Sequence, residues 1–387
     1  MTRAIVAGAL ANKCGNGGEA WVRLSWIRGL QKLGFDVFFI EQIDSHNCVD
    51  GAGKSTPFEK SANLEYFRRV TGDFDLAGRA ALVCDGGKEV FGLSRQQLMD
   101  VADSAALLIN ISGHLEAPFL MDRICYKAYI DIDPGYTQIW HELGYDGARL
   151  AGHDAYFTIG ENIGRACCGI PTAGIDWRVV RQPIVLEDWP PVASTDSDRF
   201  TTVAGWRGGY GALDYNGTKL GLKAHEFRKV LALPLRSSAR FEIALQIDRA
   251  DAADRLALEQ HGWQLVSPRG ASATPGDFRR YVQHSSAEFS VAQGIYVATA
   301  SGWFSDRSAR YLASGKPVLL QDTGLAQHYP VGKGLVLFRD LEEAITGSEQ
   351  IRSNYEEHCR AARQLAEDYF DSDKVVGALL EDVRVTA

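Results

Sequence analysis

The chain predicts an α/β protein built from two parallel-sheet domains, and three observations carry that expectation. Its 387 residues are the length of two typical domains. Short unalternating apolar runs, of the kind buried on both faces of a parallel sheet, recur along it and alternate with helical patterns. The rhythm breaks between Arg181 and Arg199, where Pro183, Pro190, Pro191 and the polar run 193–198 read as an interdomain linker.

The first apolar run, 4–9, predicts a buried strand. A glycine-containing loop from Asn12 to Gly18 follows, and then a helix on which Val22, Trp26, Leu30 and Leu33 share a face, with Gly34 as its stop. A second strand is expected at 36–41, and Gly51 and Gly53 mark a long loop after it. Ser94 and Gln97 have the spacing of a capping box, so a helix should begin there. Strands are expected at 105–111, 128–132 and 155–159. Beyond the linker they resume at 200–204, 241–247, 263–266, 287–292, 317–321 and 334–338. Ile351, Tyr355, Leu365, Tyr369 and Phe370 recur at helical spacing near the end. The division this implies is 1–190, 191–365 and a crossover helix at 366–387.

Composition excludes several classes. Hydrophobic residues make up 45% and charged residues 23%, as in a globular chain with a large core. The formal charge of −8 provides no footprint for nucleic acid or for an anionic membrane surface. Seven scattered cysteines without a Cys-x-x-Cys pair suit a reducing, cytoplasmic setting. No apolar stretch has the length of a membrane span.

Ligand residues of such a protein belong in the turns after the strands. Gly17 and Gly18 open the first helix and offer backbone N–H groups to a phosphate, or simply make a tight turn. Gly51-Ala-Gly-Lys-Ser-Thr56 matches only the tail of a phosphate-binding loop, because Cys48 stands where its first glycine belongs. Asp131 and Asp133 are paired carboxylates that either chelate a metal or form an ordinary turn, and the turn is favoured, so no metal is expected. His114, followed by Glu116, projects from a strand end as a sugar contact, a general base or a satisfied turn histidine. Arg207, Lys219 and Lys223 place three cations near one strand end, which suits a diphosphate leaving group or a solvated basic face. The block 301–324 sets a helix capped at Ser305, with Arg307 in its first turn and Gly315 at its end, before a buried strand and the tight loop Asp322-Thr323-Gly324. Trp21, Trp26, Tyr136, Trp140 and Tyr145 are stacking surfaces or core, with core favoured for the two helix tryptophans.

At Leu312-Ala-Ser-Gly-Lys-Pro-Val318, Asp322-Thr-Gly324 and Gly332-Lys-Gly334-Leu335 the sequence resembles the donor half of GT-B fold glycosyltransferases of the family 1 and 4 type. Gly17-Gly18-x-Ala20 resembles the first loop of that family. Gly205-Trp-Arg207 followed by Lys219 or Lys223 resembles its diphosphate-contacting pair, and His114 is similar to its sugar-facing histidine. The resemblance implies two Rossmann-like domains facing a cleft, with a helix at the end of the chain crossing back to the first. It implies glycosyl transfer from a nucleotide sugar to a small-molecule or glycan acceptor, with no cofactor or metal, while the net charge argues against a nucleic-acid partner. Carried over residue by residue, Gly17, Gly18, Arg207, Lys219, Lys223, Ser305, Arg307, Thr323 and Gly324 hold the diphosphate. His114, Glu116 and Asp322 face the sugar or acceptor, and His114 and Arg207 are catalytic. There is one departure: the paired donor-site glutamates of retaining members fall on Gly302 and Arg310, which leaves the stereochemistry open. A nucleotide-sugar epimerase using Glu116, Asp131 and Asp133, and a non-catalytic sugar or nucleotide binder, are the alternatives.

Overall fold

A computed structural model describes residues 1–194 and 197–387. Thr195 and Asp196, within the expected linker run, lie outside the described residues. The chain divides into two units. One comprises Met1–Ile159, Thr172–Val185 and Ser372–Ala387, and the other Gly160–Pro171 and Leu186–Asp371.

The strands of the first unit are β1 (Arg3–Ala7), β2 (Asp36–Ile43), β3 (Ala80–Cys84), β4 (Glu89–Gly92), β5 (Ala105–Ile111), β6 (Lys127–Asp131), β7 (Ala155–Thr158) and β8 (Trp177–Val179). They form one sheet in the order β4-β3-β2-β1-β5-β6-β7-β8, in which only the β3–β4 pair is antiparallel. β1 is central, and Ala4, Ile5, Val6 and Ala7 are fully buried, as an apolar run covered on both faces requires. The helix Gly17–Lys32 starts at Asn16, whose Oδ1 accepts from Glu19 N at 3.2 Å, and stops before Gly34, which takes φ +89°. Trp21 and Trp26 lie in the core. The last helix, Ser372–Val383, packs on Gly17–Lys32 across Gly29, where a Cβ would stand 3.0 Å from Val376 Cγ2. The capping box at Ser94 and Gln97 is present.

The sequence reading missed β3, β4, β8 and the helix Ala62–Asp73, which begins within the expected long loop and is capped by Ser61. β4 and β8 are short edge strands on which no buried face imposes alternation.

The strands of the second unit are β9 (Arg199–Gly205), β10 (Leu213–Tyr215), β11 (Thr218–Leu220), β12 (Arg240–Gln246), β13 (Gln264–Val266), β14 (Ala287–Ser290), β15 (Val318–Gln321) and β16 (Leu335–Phe338). β10 and β11 make a hairpin, and the other six form a parallel sheet in the order β13-β12-β9-β14-β15-β16. This is the dinucleotide-fold order, reversing at the first strand. Phe200, Phe241, Phe289 and Phe338 fill the core, the last two stacked at 5.1 Å.

Gly160–Pro171 precedes β8 in sequence yet belongs to the second unit. The Asn162 amide explains why. Its Nδ2 donates to Ala300 O at 2.8 Å and Gly324 O at 3.1 Å, and its Oδ1 takes Gln327 Nε2 at 2.5 Å and His328 Nε2 at 2.7 Å. Glu161 beside it receives the Tyr329 hydroxyl. Asn162 therefore ties together three loops of its unit, a role the expected boundary at 190 did not foresee. Asn162→Ala should lower the stability of this unit by about 1–3 kcal/mol, because four partly buried or exposed partners lose their bond to a buried amide. Denaturant unfolding followed by the fluorescence of Trp206 and Trp263 measures it.

Candidate functional site

Each sheet reverses its strand order at one place, β1/β5 in the first unit and β9/β14 in the second, and ligands bind outside the carboxyl ends at such points. In the first unit β5 ends at Ile111, and Ser112 (φ +54°) and Gly113 (φ +63°) turn the chain sharply, so that His114 leaves the sheet edge. Glycine is required at 113, where a Cβ would lie 2.5 Å from Arg149 O. That close approach brings Arg149 against His114. Its Nη1 meets His114 Nδ1 at 3.0 Å and its Nε meets Glu116 Oε2 at 3.2 Å.

These side chains line a pocket of about 290 Å³ that also takes in Asn12, Lys13, Gln42, Ile43, Asp44 and Asn47. The loop supplying Asn12 and Lys13 is pinned from below by the buried Glu41, which accepts Ala11 N at 2.6 Å, Asn12 N at 2.9 Å and Asn12 Nδ2 at 3.1 Å. Burial pushes the Glu41 carboxyl up to about 7 against those bonds.

An arginine can only donate, so His114 Nδ1 is the acceptor in its bond with Arg149 and the neutral ring carries its proton on Nε2. Burial, followed by the charges of Arg23, Arg149 and Lys13, lowers the imidazole to about 3. Held in this way, His114 presents a donor N–H, which suits the sugar-contact expectation better than that of a base. Asp131 is withdrawn too. Its carboxylate accepts Thr137 Oγ1, Gln138 Nε2, Thr158 Oγ1 and Asp133 N, and it is fully buried. Gly17 and Gly18 form the first turn behind Asn16, as expected.

In the second unit the three expected cations separate. Arg207 forms a two-pronged ion pair with Asp251, at 2.8 Å and 2.7 Å, and its side chain is 58% exposed. The acidic run that contains Asp248, Asp251 and Asp254 draws it aside. Lys219 is exposed on the hairpin, in register with Asp214. Lys223 sits at the reversal itself, its backbone N donating to Gln293 Oε1 at 3.0 Å, just beyond β14. Burial, and then the charge of Arg307, lower the Lys223 ammonium to about 7 despite Glu288 and Asp306. Among the described residues none forms an ion pair or hydrogen bond with its Nζ.

Arg307 was expected to face phosphate, but its guanidinium is used inside the fold. It bonds to Glu288, to Val203 O at 2.9 Å and to Ser290 Oγ at 2.8 Å, tying β9 to β14. Ser305 starts the helix Asp306–Ala313 without a side-chain cap bond. Thr323 donates its hydroxyl to Trp303 O at 2.7 Å, joining its loop to the one before the helix, and Asp322 Oδ1 accepts Gly324 N and Leu325 N within its own turn. Gly324, at φ +89°, lies under Asn162 Nδ2, where a Cβ would be 2.6 Å away. Among the described residues no group of three His, Cys, Asp or Glu is placed to hold a metal, and all seven cysteines are free thiols.

No protein-family model matches the chain, and no curated protein sequence matches it. Solved structures match it over nearly its full length. An alpha-glucosyltransferase in complex with UDP aligns with a TM-score of 0.61 at 10% identity, covering 99% of this chain and 100% of its own. The Anabaena protein Alr3699/HepE in complex with UDP and glucose gives 0.58 at 12%, covering 99% and 100%. A glycosyltransferase from Rickettsia africae gives 0.51 at 10%, covering 98% and 97%. The chain has the GT-B glycosyltransferase fold.

Within this GT-B chain the two positions that lack glutamate have physical reasons to do so. Gly302 takes φ +71°, and a Cβ on it would stand 2.8 Å from Asn162 N. Arg310 is fully buried and bonds to Asp306 Oδ2 at 2.6 Å. The segment Gly51–Thr56 forms a turn in which Asp50 Oδ1 accepts Ala52 N and Lys54 N, closed by the Val49–Ser55 bridge, and so is no phosphate loop. Trp140 is half-buried and Tyr145 is 58% exposed, and neither lines the pocket. Sequence reasoning passed over Arg149, Asp44, Asn47 and Gln42. Gln42 and Asp44 flank the end of β2 and could have been found there; nothing local marked Arg149.

The His114 imidazole should stay neutral down to about pH 4, and Arg149→Met should move its titration up towards the ordinary 6.5, as read by NMR. Because the unfolded chain takes up this proton first, His114 contributes a stability loss that grows as pH falls from 6.5 towards 3. Gly113→Ala should cost about 1–3 kcal/mol of stability, measured by thermal unfolding, since it combines positive φ with backbone overlap.

Proposed function

We propose that the protein transfers a glycosyl group from a nucleotide sugar, with UDP as the carrier, to an acceptor held in the first unit, without a metal ion. The carrying observation is Lys223, an ammonium partly stripped of water at the strand reversal of the second sheet, next to Arg307 and, among the described residues, with no carboxylate in ion-pair reach. A cation in that state is stabilised by an incoming anion, and a diphosphate supplies one where the resemblance places it. The fold is shared with structures that hold UDP or UDP-glucose, which supports the choice of carrier.

In the reaction the bond from the anomeric carbon to the diphosphate oxygen breaks as the acceptor oxygen bonds to that carbon, and the proton of the acceptor hydroxyl passes to the departing diphosphate oxygen. Lys223 meets the charge that develops on the leaving oxygen. His114 offers its Nε2–H to a hydroxyl in the pocket. The epimerase reading loses support because Asp131, one of its acid–base candidates, is saturated by donors of its own fold.

Thermal unfolding with UDP, GDP and ADP, each with magnesium and with EDTA, tests the reading. UDP should stabilise without magnesium, by about 2.7 kcal/mol at a hundredfold excess over its Kd. Lys223→Met should weaken UDP binding by about 1.5–3 kcal/mol, the worth of a charge-assisted bond, while Arg207→Ala keeps most of the affinity. Because Lys223 titrates near 7 and a bound diphosphate holds its ammonium protonated, affinity should fall as pH rises above 7, with proton uptake by Lys223 at pH 8 seen by calorimetry in two buffers. Absence of a shift with every diphosphate would overturn the donor site, and UDP binding without turnover of UDP-glucose would favour a non-catalytic binder.

A further inference from the structure

The pocket of the first unit discriminates among acceptors, and the argument rests on the glycosyltransferase reading above. Among the described residues no phenylalanine, tyrosine or tryptophan lines it. At about 290 Å³ it lies at the lower edge of the ~300–1,000 Å³ usual for ligand pockets, room for one small ring rather than an extended aglycone. Its charges balance, with Lys13 and Arg149 against Asp44 and Glu116, and Arg149 is already bound to Glu116 and His114.

The unused hydrogen-bonding capacity is mixed in kind. Among the described residues, no hydrogen bond occupies Lys13 Nζ, the Asp44 carboxylate or the Asn47 side-chain amide. Gln42 accepts Glu116 N at 3.1 Å through Oε1, which leaves Nε2 to donate. Asn12 spends Nδ2 on Glu41 and Gln42 O, which leaves Oδ1 to accept. A hydroxyl both donates and accepts, so it satisfies such a lining as neither a phenyl ring nor a lone anion does.

We infer that the acceptor is a neutral polyhydroxylated molecule, one sugar unit of a saccharide, whose hydroxyls are shared among Asp44, Asn47, Lys13 and Gln42. Asp44 accepts from one hydroxyl, Lys13 and Gln42 donate to others, and Asn47 does both. An aromatic aglycone would leave these groups dry and unpaired. An anionic acceptor would need a surplus of cations that the pocket lacks.

Saturation-transfer NMR on the full chain tests this with methyl glucoside, methyl galactoside and methyl mannoside, alongside glucose 6-phosphate and p-nitrophenol. At least one methyl glycoside should receive saturation. Asn47→Leu and Asp44→Leu should each weaken its binding by about tenfold or more, or ~1.4 kcal/mol. Among the described residues neither side chain has a hydrogen bond or ion pair, so both variants should fold, and an unchanged UDP-induced melting shift in the same samples verifies it. Glucose 6-phosphate binding about tenfold tighter than every methyl glycoside would overturn neutrality. So would p-nitrophenol binding in their place, or glycoside binding that ignores both substitutions. A UDP shift with no glycoside bound sinks the acceptor class alone. Glycoside binding without any UDP shift sinks the transferase reading and leaves a sugar-binding pocket.

Discussion

Parallel strands buried on both faces impose the constraint from which the rest of this structure follows. Every strand in such a sheet points the same way, so the turns after the strands collect along one edge, and only there can polar side chains escape the core. Where the strand order reverses, two of these turns diverge and leave a recess. In the first unit the recess lies between β1 and β5 and receives Lys13 from one side and His114 from the other. In the second it lies between β9 and β14, with Lys223 held by Gln293. Site residues distant in sequence meet because the sheet leaves them no other way out.

Within those recesses, pairing decides which charges can act. Arg207, Arg307 and Arg149 have carboxylate partners and bond to them in definite geometry. An arginine so matched gives up one partner to gain another, which yields little net attraction for a new anion. Among the described residues Lys223 has no carboxylate partner to give up. The same logic sets the state of His114. With three cations nearby and Arg149 donating to Nδ1, its ring is neutral and oriented, a fixed donor instead of a proton carrier.

Backbone packing explains why position 302 holds a glycine. Asn162 and Glu161, from a segment that precedes β8, press against the 300–302 and 322–329 turns and bond to them through main chain and side chain. A glutamate at 302 would have to displace that segment. The missing carboxylate and the presence of the Asn162 tie are thus one structural fact.

Much of the frame was legible in the residues alone. The apolar runs at 4–9, 105–111 and 317–321, the stops at Gly34 and Gly315 and the box at Ser94 are local signals, and the elements they announce are present. The edge strands β4 and β8 were not legible, because they lack a buried face to impress a pattern. His114 and Lys223 could be singled out because each follows a strand. Arg149 could not, for its place depends on Gly113 allowing two backbones to within contact. The sequence by itself therefore determined the fold class, most of the elements and which turns would carry chemistry, since periodicity and caps act over a few residues. Only the tertiary structure decided that Arg207 pairs with Asp251, that Arg307 serves as a tie and that the Lys223 ammonium has no ion-pair partner among the described residues. Charges choose partners by distance in space, and a chain read in order does not contain those distances.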